Sequence, residues 1–317
     1  MSRPSAVLFC PGRGSYGRDE LGSLGRNLRS GEVADALAVA DARRREAGLP
    51  GILELDAAKS FRPSLHLDGR NASELLFFAS MAEIEGLRER YRILAVAGNS
   101  LGWYTALSAA GSLSVADGAR LVATMARLQG LAAGGQVLTT ILDPDWHIDS
   151  ELQDALGAAV ENCNALGKDH FVAISIRLGG HRVLGGTEKG LREVMKELPK
   201  IERGKRKFPF QLAGHGPFHT QLCAAVSAEA RRELRDLPFR RPKIQLIDGF
   251  GNQHNPWSTD PLELYDYTSG RQVTETFDFS ATARTALREF NPDVLLSAGP
   301  GTSLRARAQQ DIWVELA

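Results

Sequence analysis

Arg92–Leu107 reads RILAVAGNSLGWYTAL, and the fold turns on how this stretch is read. Ile93 to Ala97 is a short apolar run, Gly98-Asn99-Ser100-Leu101-Gly102 interrupts it, and Trp103 to Ala110 is compatible with a helix. The pattern predicts a strand, a sharp turn and a helix, with a serine at the apex of the G-x-S-x-G turn. A serine held there sits in strained backbone with its hydroxyl exposed above the sheet edge, and the flanking glycines let strand and helix pass without a Cβ clash. The N–H of Leu101, at the helix start, then points toward an oxyanion formed on any carbonyl that Ser100 attacks. The same five residues also describe a strand-to-helix turn with no chemistry. The strand before them and the helix after them favour the nucleophile.

Upstream, Ala6 to Cys10 is a second strand-like run, and it enters Pro11-Gly12-Arg13-Gly14-Ser15. A Gly-rich turn directly after a buried strand is where an α/β sheet offers backbone N–H groups to a ligand. It has no P-loop lysine, so P-loop binding of a nucleotide phosphate is not indicated. Leu21 to Gly48 follows with helical spacing, its Arg43-Arg44-Arg45-Glu46 read as a solvated face. Asn71 to Arg90 is a further helix with Ser73 as a cap.

Downstream, Ser114 caps a helix that runs to about Gly130, and the pattern then changes. Strand-like runs at Gln136 to Leu142, Phe171 to Ile176 and Arg182 to Leu184 alternate with helical stretches at Asp149 to Leu156 and Thr187 to Leu198. This order predicts a small α+β subdomain inserted into a larger α/β domain. Lys200 to Lys207 is a basic connector, read as a solvated loop, and Ala224 to Leu237 is a charged helix. Ile244 to Ile247 and Val294 to Ser297 read as buried parallel strands.

The 317 residues are 43% hydrophobic and 24% charged, with 38 Lys plus Arg against 38 Asp plus Glu. A balanced charge carries no footprint for nucleic acid or an anionic membrane. Cys10, Cys163 and Cys223 are far apart and show no C-x-x-C spacing, which supports neither a disulfide framework nor a zinc site. The only apolar run near the N-terminus is too short for a signal peptide, and none approaches membrane-spanning length. The expectation is a soluble cytoplasmic protein.

Ser100 needs a base. The informative histidines are His215 and His219 in GHGPFHT, where Pro217 and the glycines fix a loop. Serine before histidine is the chain order of other enzymes built on a strand-turn-helix nucleophile. On the residues alone, either histidine could serve.

PGRGSYG, GNSLGWYTAL, ARLVATMARLQG, GPFHT, GRQVTETFDFSATARTAL and LLSAGPGTSLRA fall in the order and rough spacing of the malonyl-CoA:acyl-carrier-protein transacylases and polyketide synthase acyltransferase domains, and the chain resembles that family over nearly its whole length. The resemblance implies an α/β-hydrolase-like domain, assigned to residues 1–131 and 200–317, and a ferredoxin-like subdomain at 132–199. It implies acyl transfer from CoA to a carrier-protein phosphopantetheine through an acyl-serine, with no bound cofactor and no metal. It selects His219 over His215 as the base, oriented by a backbone carbonyl from the turn near Asp248 and Gly249. It also assigns the oxyanion hole to the N–H groups of Arg13 and Leu101.

Departures from the family pattern bear on substrate. Counting from Arg120-Leu121-Val122 puts Met125 where the family has an arginine that pairs with the free carboxylate of a malonyl group. A methionine cannot neutralise a carboxylate, and burying one unpaired costs several kcal/mol. Arg127 lies roughly 200° further round the helix and is no substitute. Asn99 stands where the family has histidine, and Arg13 and His181 stand where it has glutamine. These changes predict an acyl group without a free carboxylate; the resemblance implies CoA or acyl-phosphopantetheine as its carrier and an acyl carrier protein as partner, and a monomer is expected. An acyl-thioester hydrolase that clears carrier proteins is the competing enzyme class. A non-catalytic carrier-binding protein is the alternative outside catalysis.

Overall fold

The computed structural model describes residues 3–204 and 206–301 together with Leu304; Thr302, Ser303, Arg305 and Ala306 of the LLSAGPGTSLRA run lie outside the described residues. Strand β1 (Ser5–Cys10) is buried at every position. Helices α1 (Glu32–Glu46) and α2 (Gly69–Arg90) lead to β2 (Arg92–Gly98), which turns sharply into α3 (Gly102–Ala109). Helix α4 (Val115–Leu128) begins at Ser114, whose side chain accepts from the Asp117 N–H. It buries Leu121, Val122 and Met125 and leaves Arg127 exposed, as its helical spacing requires.

Strand β3 (Gly135–Thr140) opens a second layer, followed by α5 (Ser150–Ala165), the hairpin β4 (Val172–Leu178) and β5 (His181–Gly186), and α6 (Glu188–Glu197). The hairpin β6 (Ile201–Arg203) and β7 (Arg206–Phe208) and the short β8 (Phe210–Gln211) carry the chain back. Helix α7 (Ala224–Glu233), β9 (Gln245–Ile247), β10 (Gln253–His254), β11 (Phe277–Asp278), α8 (Phe279–Phe290) and β12 (Val294–Ser297) complete the described part.

Two five-stranded sheets result. The first runs β10-β9-β2-β1-β12, parallel except for β10, with β1 and β2 at its centre. A buried parallel strand reads as a continuous apolar run, which is why AVLFC and LAVA were recognisable. The second sheet runs β11-β4-β5-β3-β8. Strands β3, β4, β5 and β8 are mutually antiparallel neighbours, and β11 adds in parallel. The order β8-β3-β5-β4, with helices after β3 and β5, is the split βαβ of a ferredoxin-like unit. Its edge strands β8 and β11 come from well beyond residue 199. No helix among the described residues is long and apolar enough to cross a membrane.

Two local readings are corrected. Arg44 is not on a solvated face. It is 1% exposed, pairs with Glu74 Oε2 at 2.5 Å and donates to Asn71 Oδ1 and to the carbonyls of Pro50 and Arg70. A charge run hides this because the partner lies on another helix: Arg43, half-buried, also pairs with Glu74 on α2, and of the three arginines Arg45 alone is exposed. Ser73 is not a cap: α2 starts four residues earlier, where the Asp68 side chain accepts from the Arg70 N–H, and Ser73 is buried in its second turn.

Candidate active site

The elbow is built by close backbone approach. A Cβ on Gly98 would lie 2.1 Å from the Gly102 carbonyl, and one on Gly102 would lie 2.1 Å from the carbonyl oxygen of Cys10, so neither position accepts a side chain. The crossing forces Ser100 into the left-handed region, at φ 55°. His219 has φ 61°. Among the described non-glycine residues only Trp146 and Asn291 share this property, the latter at a helix end. Backbone strain of this kind costs about 1–3 kcal/mol per residue and persists only where its surroundings over-determine it. Two such residues facing each other mark a site.

Ser100 Oγ and His219 Nε2 are 2.8 Å apart. On the far side of the ring, His219 Nδ1 is 2.6 Å from the carbonyl oxygen of Gln272. A carbonyl only accepts, so Nδ1 carries the proton and Nε2 presents a lone pair to the Ser100 hydroxyl. The His219 backbone N–H also donates to the Val273 carbonyl, so ring and main chain are held by consecutive residues. Gln272 follows a π-helical turn, Tyr267–Arg271, that aims its carbonyl inward. Its side chain donates to the Ser100 carbonyl at 3.2 Å and accepts from the Tyr104 hydroxyl at 2.9 Å. Burial pulls His219 down to about 4, with the Gln272 bond acting in the opposite direction, so the ring is neutral at physiological pH.

The orienting carbonyl is therefore Gln272's, and the expectation of one from the turn near Asp248 and Gly249 is corrected. The Gly249 carbonyl accepts from the Asp278 N–H, and a Cβ on Gly249 would strike the Phe277 ring, which itself packs beside His219. That turn buttresses the site from behind and does not line it. His181 is likewise not at the cavity. It starts β5 and stacks on Phe208 with ring centroids 5.3 Å apart, because the β-hairpin carries it to the far end of the strand.

Arg13, Asn99, Leu101 and Met125 all line the cavity that holds Ser100 and His219, a space of about 100 Å³. The backbone N–H groups of Arg13 and Leu101 donate to no carbonyl among the described residues, and Leu101 caps the start of α3. They are available to an oxyanion. The Arg13 guanidinium donates to Gln129 Oε1 at 2.6 Å and to the Gly214 carbonyl at 2.7 Å. Burial lowers it to about 10, so it stays a cation, and it forms no ion pair among the described residues. Met125 is 3% exposed and adds an apolar surface beside Val122 and Leu178. Arg127 pairs with Glu233 on the outer face of α4.

His215 lines the same cavity but does not meet Ser100; its Nδ1 is 3.0 Å from Gln136 Oε1. Gln272, Gln136 and Tyr104 were not singled out from sequence. Gln272 lies within the GRQVTETFDFSATARTAL run, but what it contributes to His219 is a main-chain atom, which no residue type announces.

No family model matches the chain. Over 183 residues it is 31% identical to the malonyl CoA-acyl carrier protein transacylase of Bacillus subtilis (strain 168), covering 56% of this chain and 53% of that protein. To the human mitochondrial malonyl-CoA-acyl carrier protein transacylase it is 27% identical over 302 residues, 86% of this chain and 73% of the relative. The chain thus spans about half the length of the Bacillus relative. The solved malonyl-CoA:ACP transacylase of Synechocystis sp. PCC 6803 superposes with a TM-score of 0.77 over 98% of this chain and 94% of that one, at 19% identity. A malonyl-transacylase solved in complex with a holo acyl carrier protein of a type II polyketide synthase gives 0.75 over 98% and 93%, at 17% identity. Fold and elbow define an α/β protein with a hydrolase-like sheet, a ferredoxin-like unit and a serine mounted between them. In fold, and in sequence over 86% of its length, the chain is similar to malonyl-CoA:acyl-carrier-protein transacylases.

Proposed function

We propose that this protein is a serine acyltransferase that moves a short acyl group lacking a free carboxylate from a CoA or carrier-protein thioester to an acyl carrier protein. The observation that carries the reading is the 2.8 Å approach of Ser100 Oγ to the unprotonated Nε2 of His219, with the opposite nitrogen pinned by the Gln272 carbonyl. His219 Nε2 takes the hydroxyl proton as Ser100 Oγ attacks the thioester carbonyl. The tetrahedral oxyanion is met by the N–H groups of Arg13 and Leu101, supported by the N-terminus of α3. On collapse the C–S bond breaks, and the leaving thiolate takes the proton from His219. The carrier-protein thiol then repeats these steps in reverse on the acyl-serine.

The acyl group follows from the walls of the cavity. A space of about 100 Å³ admits a chain of a few carbons. Met125 supplies no positive charge, and the Arg13 fork is already committed to Gln129 and Gly214. A malonyl carboxylate would have to be desolvated without a dedicated partner. The division into a catalytic part, residues 1–131 and 200–317, and a smaller unit, 132–199, belongs to this reading, as do action as a monomer in the cytoplasm and the absence of a bound cofactor.

Intact-mass spectrometry of the protein after exposure to acetyl-, butyryl- and malonyl-CoA, followed by holo carrier protein, tests the proposal. An acyl adduct on Ser100 that moves to the carrier is expected. An adduct lost to water equally fast without the carrier would instead make the protein a thioester hydrolase.

A further inference from the structure

The loop that carries His219 is tied at both ends to one residue of the smaller sheet. The Leu212 N–H donates to the main-chain carbonyl of Gln136, on β3, at 2.9 Å, and the Gln136 side chain meets the other end of the loop at Phe218. Its Nε2 donates to the Phe218 carbonyl at 3.3 Å and to Ser175 Oγ at 2.8 Å, while the Ser175 hydroxyl donates to that same carbonyl at 2.9 Å. The carbonyl cannot donate, so the orientation of the Gln136 amide is fixed and its Oε1 faces His215. His215 Nδ1 then carries the proton of the 3.0 Å contact between them. Gln136 is 3% exposed and Ser175 is fully buried, so both donors are shielded from water.

Ser175 reaches the loop through an irregularity of its strand. Ile174 pairs with Leu184 and Ile176 with Val183, which are neighbours on β5, so Ser175 is the extra residue of a β-bulge on β4. The strand changes face there. Val172 and Ile174 pack in the core of the smaller unit, whereas Ile176 and Leu178 line the Ser100 cavity. Regular alternation would have kept all four on one side. Bulges beside a site serve to re-aim a side chain, and this one turns the Ser175 hydroxyl onto the Phe218 carbonyl.

That carbonyl belongs to the peptide unit that precedes His219, and the N–H of the same unit donates to the Val273 carbonyl at 2.8 Å. One peptide plane is thus gripped at its oxygen by β3 and β4 and at its nitrogen by the larger domain. The plane fixes φ of His219 at 61°, a left-handed value that a histidine keeps only where its surroundings hold it. The direction of the His219 side chain, and with it the 2.8 Å approach of Nε2 to Ser100 Oγ, follows from that value.

We infer that Gln136 and Ser175 are positioning residues for the base: by holding the Phe218 carbonyl they keep His219 in its strained backbone and its Nε2 on Ser100, which makes the smaller sheet part of the catalytic apparatus. The inference rests on the reading of Ser100 and His219 as nucleophile and base, and it requires nothing of the thioester.

Ser175→Ala and Gln136→Met remove the donors with little change in volume. Two reactions of Ser100 are followed by intact mass, well below the unfolding temperature of each variant: acylation by acetyl-CoA, and phosphonylation by a fluorophosphonate, which uses the same oxygen and base but no thioester. Each variant should lower the maximal rate of both reactions about 10-fold, the worth of one hydrogen bond, and leave the half-saturating acetyl-CoA concentration within about twofold. In a His219→Ala background the same substitutions should lose their effect, because they act through the ring. Full rates in both variants, an equal fall in the His219→Ala background, or a change confined to half-saturation by acetyl-CoA would overturn the inference. If Gln136→Met does not fold, Ser175→Ala decides alone. A wild type that the fluorophosphonate labels but no acyl-CoA acylates would overturn the acyltransferase reading, and the phosphonylation rates of the variants would still decide the positioning role.

Discussion

His219 and His215 sit four residues apart and are held in the same way, with Nδ1–H donated to a fixed oxygen and Nε2 left bare. They differ in what anchors them. His219 is pinned by a main-chain carbonyl, at 2.6 Å, on a strained backbone that is 1% exposed. His215 is pinned by a side chain, Gln136, at 3.0 Å, and is half-buried. A main-chain anchor cannot change rotamer and over-determines its partner, which suits a base that must meet a hydroxyl at one distance. A side-chain anchor allows adjustment, and no nucleophile among the described residues meets the His215 lone pair. The lesson is that tautomer alone does not define a base. The nucleophile at the lone pair does.

The largest way to break this contrast is at the nucleophile. Ser100→Ala should abolish the acyl adduct altogether while leaving the protein folded, since it removes one oxygen from an intact turn. Retention of a covalent adduct in that variant, by mass spectrometry, would disprove the assignment of Ser100.

Next is the base. His219→Ala should lower the acylation rate by about 10²–10⁴, far more than any substitution of His215. Greater damage from His215 would exchange their roles. The pH profile sharpens the same point. With His219 lowered to about 4, the neutral ring persists through acid pH, so acylation should stay flat from about pH 8 to about pH 5. Below about pH 4 protonation should cost close to tenfold per unit. A descending limb centred near the ordinary histidine value, about 6.5, would mean a solvated base elsewhere.

A third effect, of up to a few kcal/mol in relative transition-state binding, concerns the acyl wall. Wild-type protein should prefer acetyl- or butyryl-CoA to malonyl-CoA, and Met125→Arg should move the preference toward malonyl by placing a guanidinium fork in an apolar wall. Arg13→Gln is the control. A wild type that favours malonyl-CoA and loses that preference in Arg13→Gln would make Arg13 the carboxylate anchor, despite its bonds to Gln129 and Gly214.

Much of this was legible from the chain because it depends on backbone. The glycines of GNSLG mark a crossing too tight for Cβ atoms, and apolar runs mark the parallel strands around it. What sequence did not give was set by tertiary partners. Arg44 looked solvated because its carboxylate lies 30 residues on, in another helix. Gly249 was offered as the source of the orienting carbonyl, yet the atom used belongs to Gln272, 23 residues later by number, behind a π-helical turn that no residue pattern predicts. His181 was assigned to the pocket by alignment of motifs, and one hairpin turned it away. The assignments that depended on a neighbour's side chain or carbonyl were the ones that moved.

The smallest predicted effect isolates that carbonyl. Gln272→Ala keeps the main-chain oxygen that holds His219 Nδ1–H and removes the amide that donates to the Ser100 carbonyl and accepts from the Tyr104 hydroxyl. If the carbonyl is the anchor, the dyad survives and acylation should fall by only about tenfold, the worth of a hydrogen bond that steadies the elbow, with the pH profile unmoved. The Tyr104 hydroxyl is left without its acceptor in a buried place, so about 1–3 kcal/mol of stability should be lost as well, measurable by denaturant unfolding. Gln272→Pro tests the complementary half, because proline keeps a carbonyl but restrains the backbone that aims it. Loss in the proline variant as severe as in His219→Ala, with the alanine variant nearly active, is the expected pair. An alanine variant as inactive as His219→Ala would put the control of Ser100 in the side chain of Gln272, and the contrast between a main-chain and a side-chain anchor would no longer separate the two histidines.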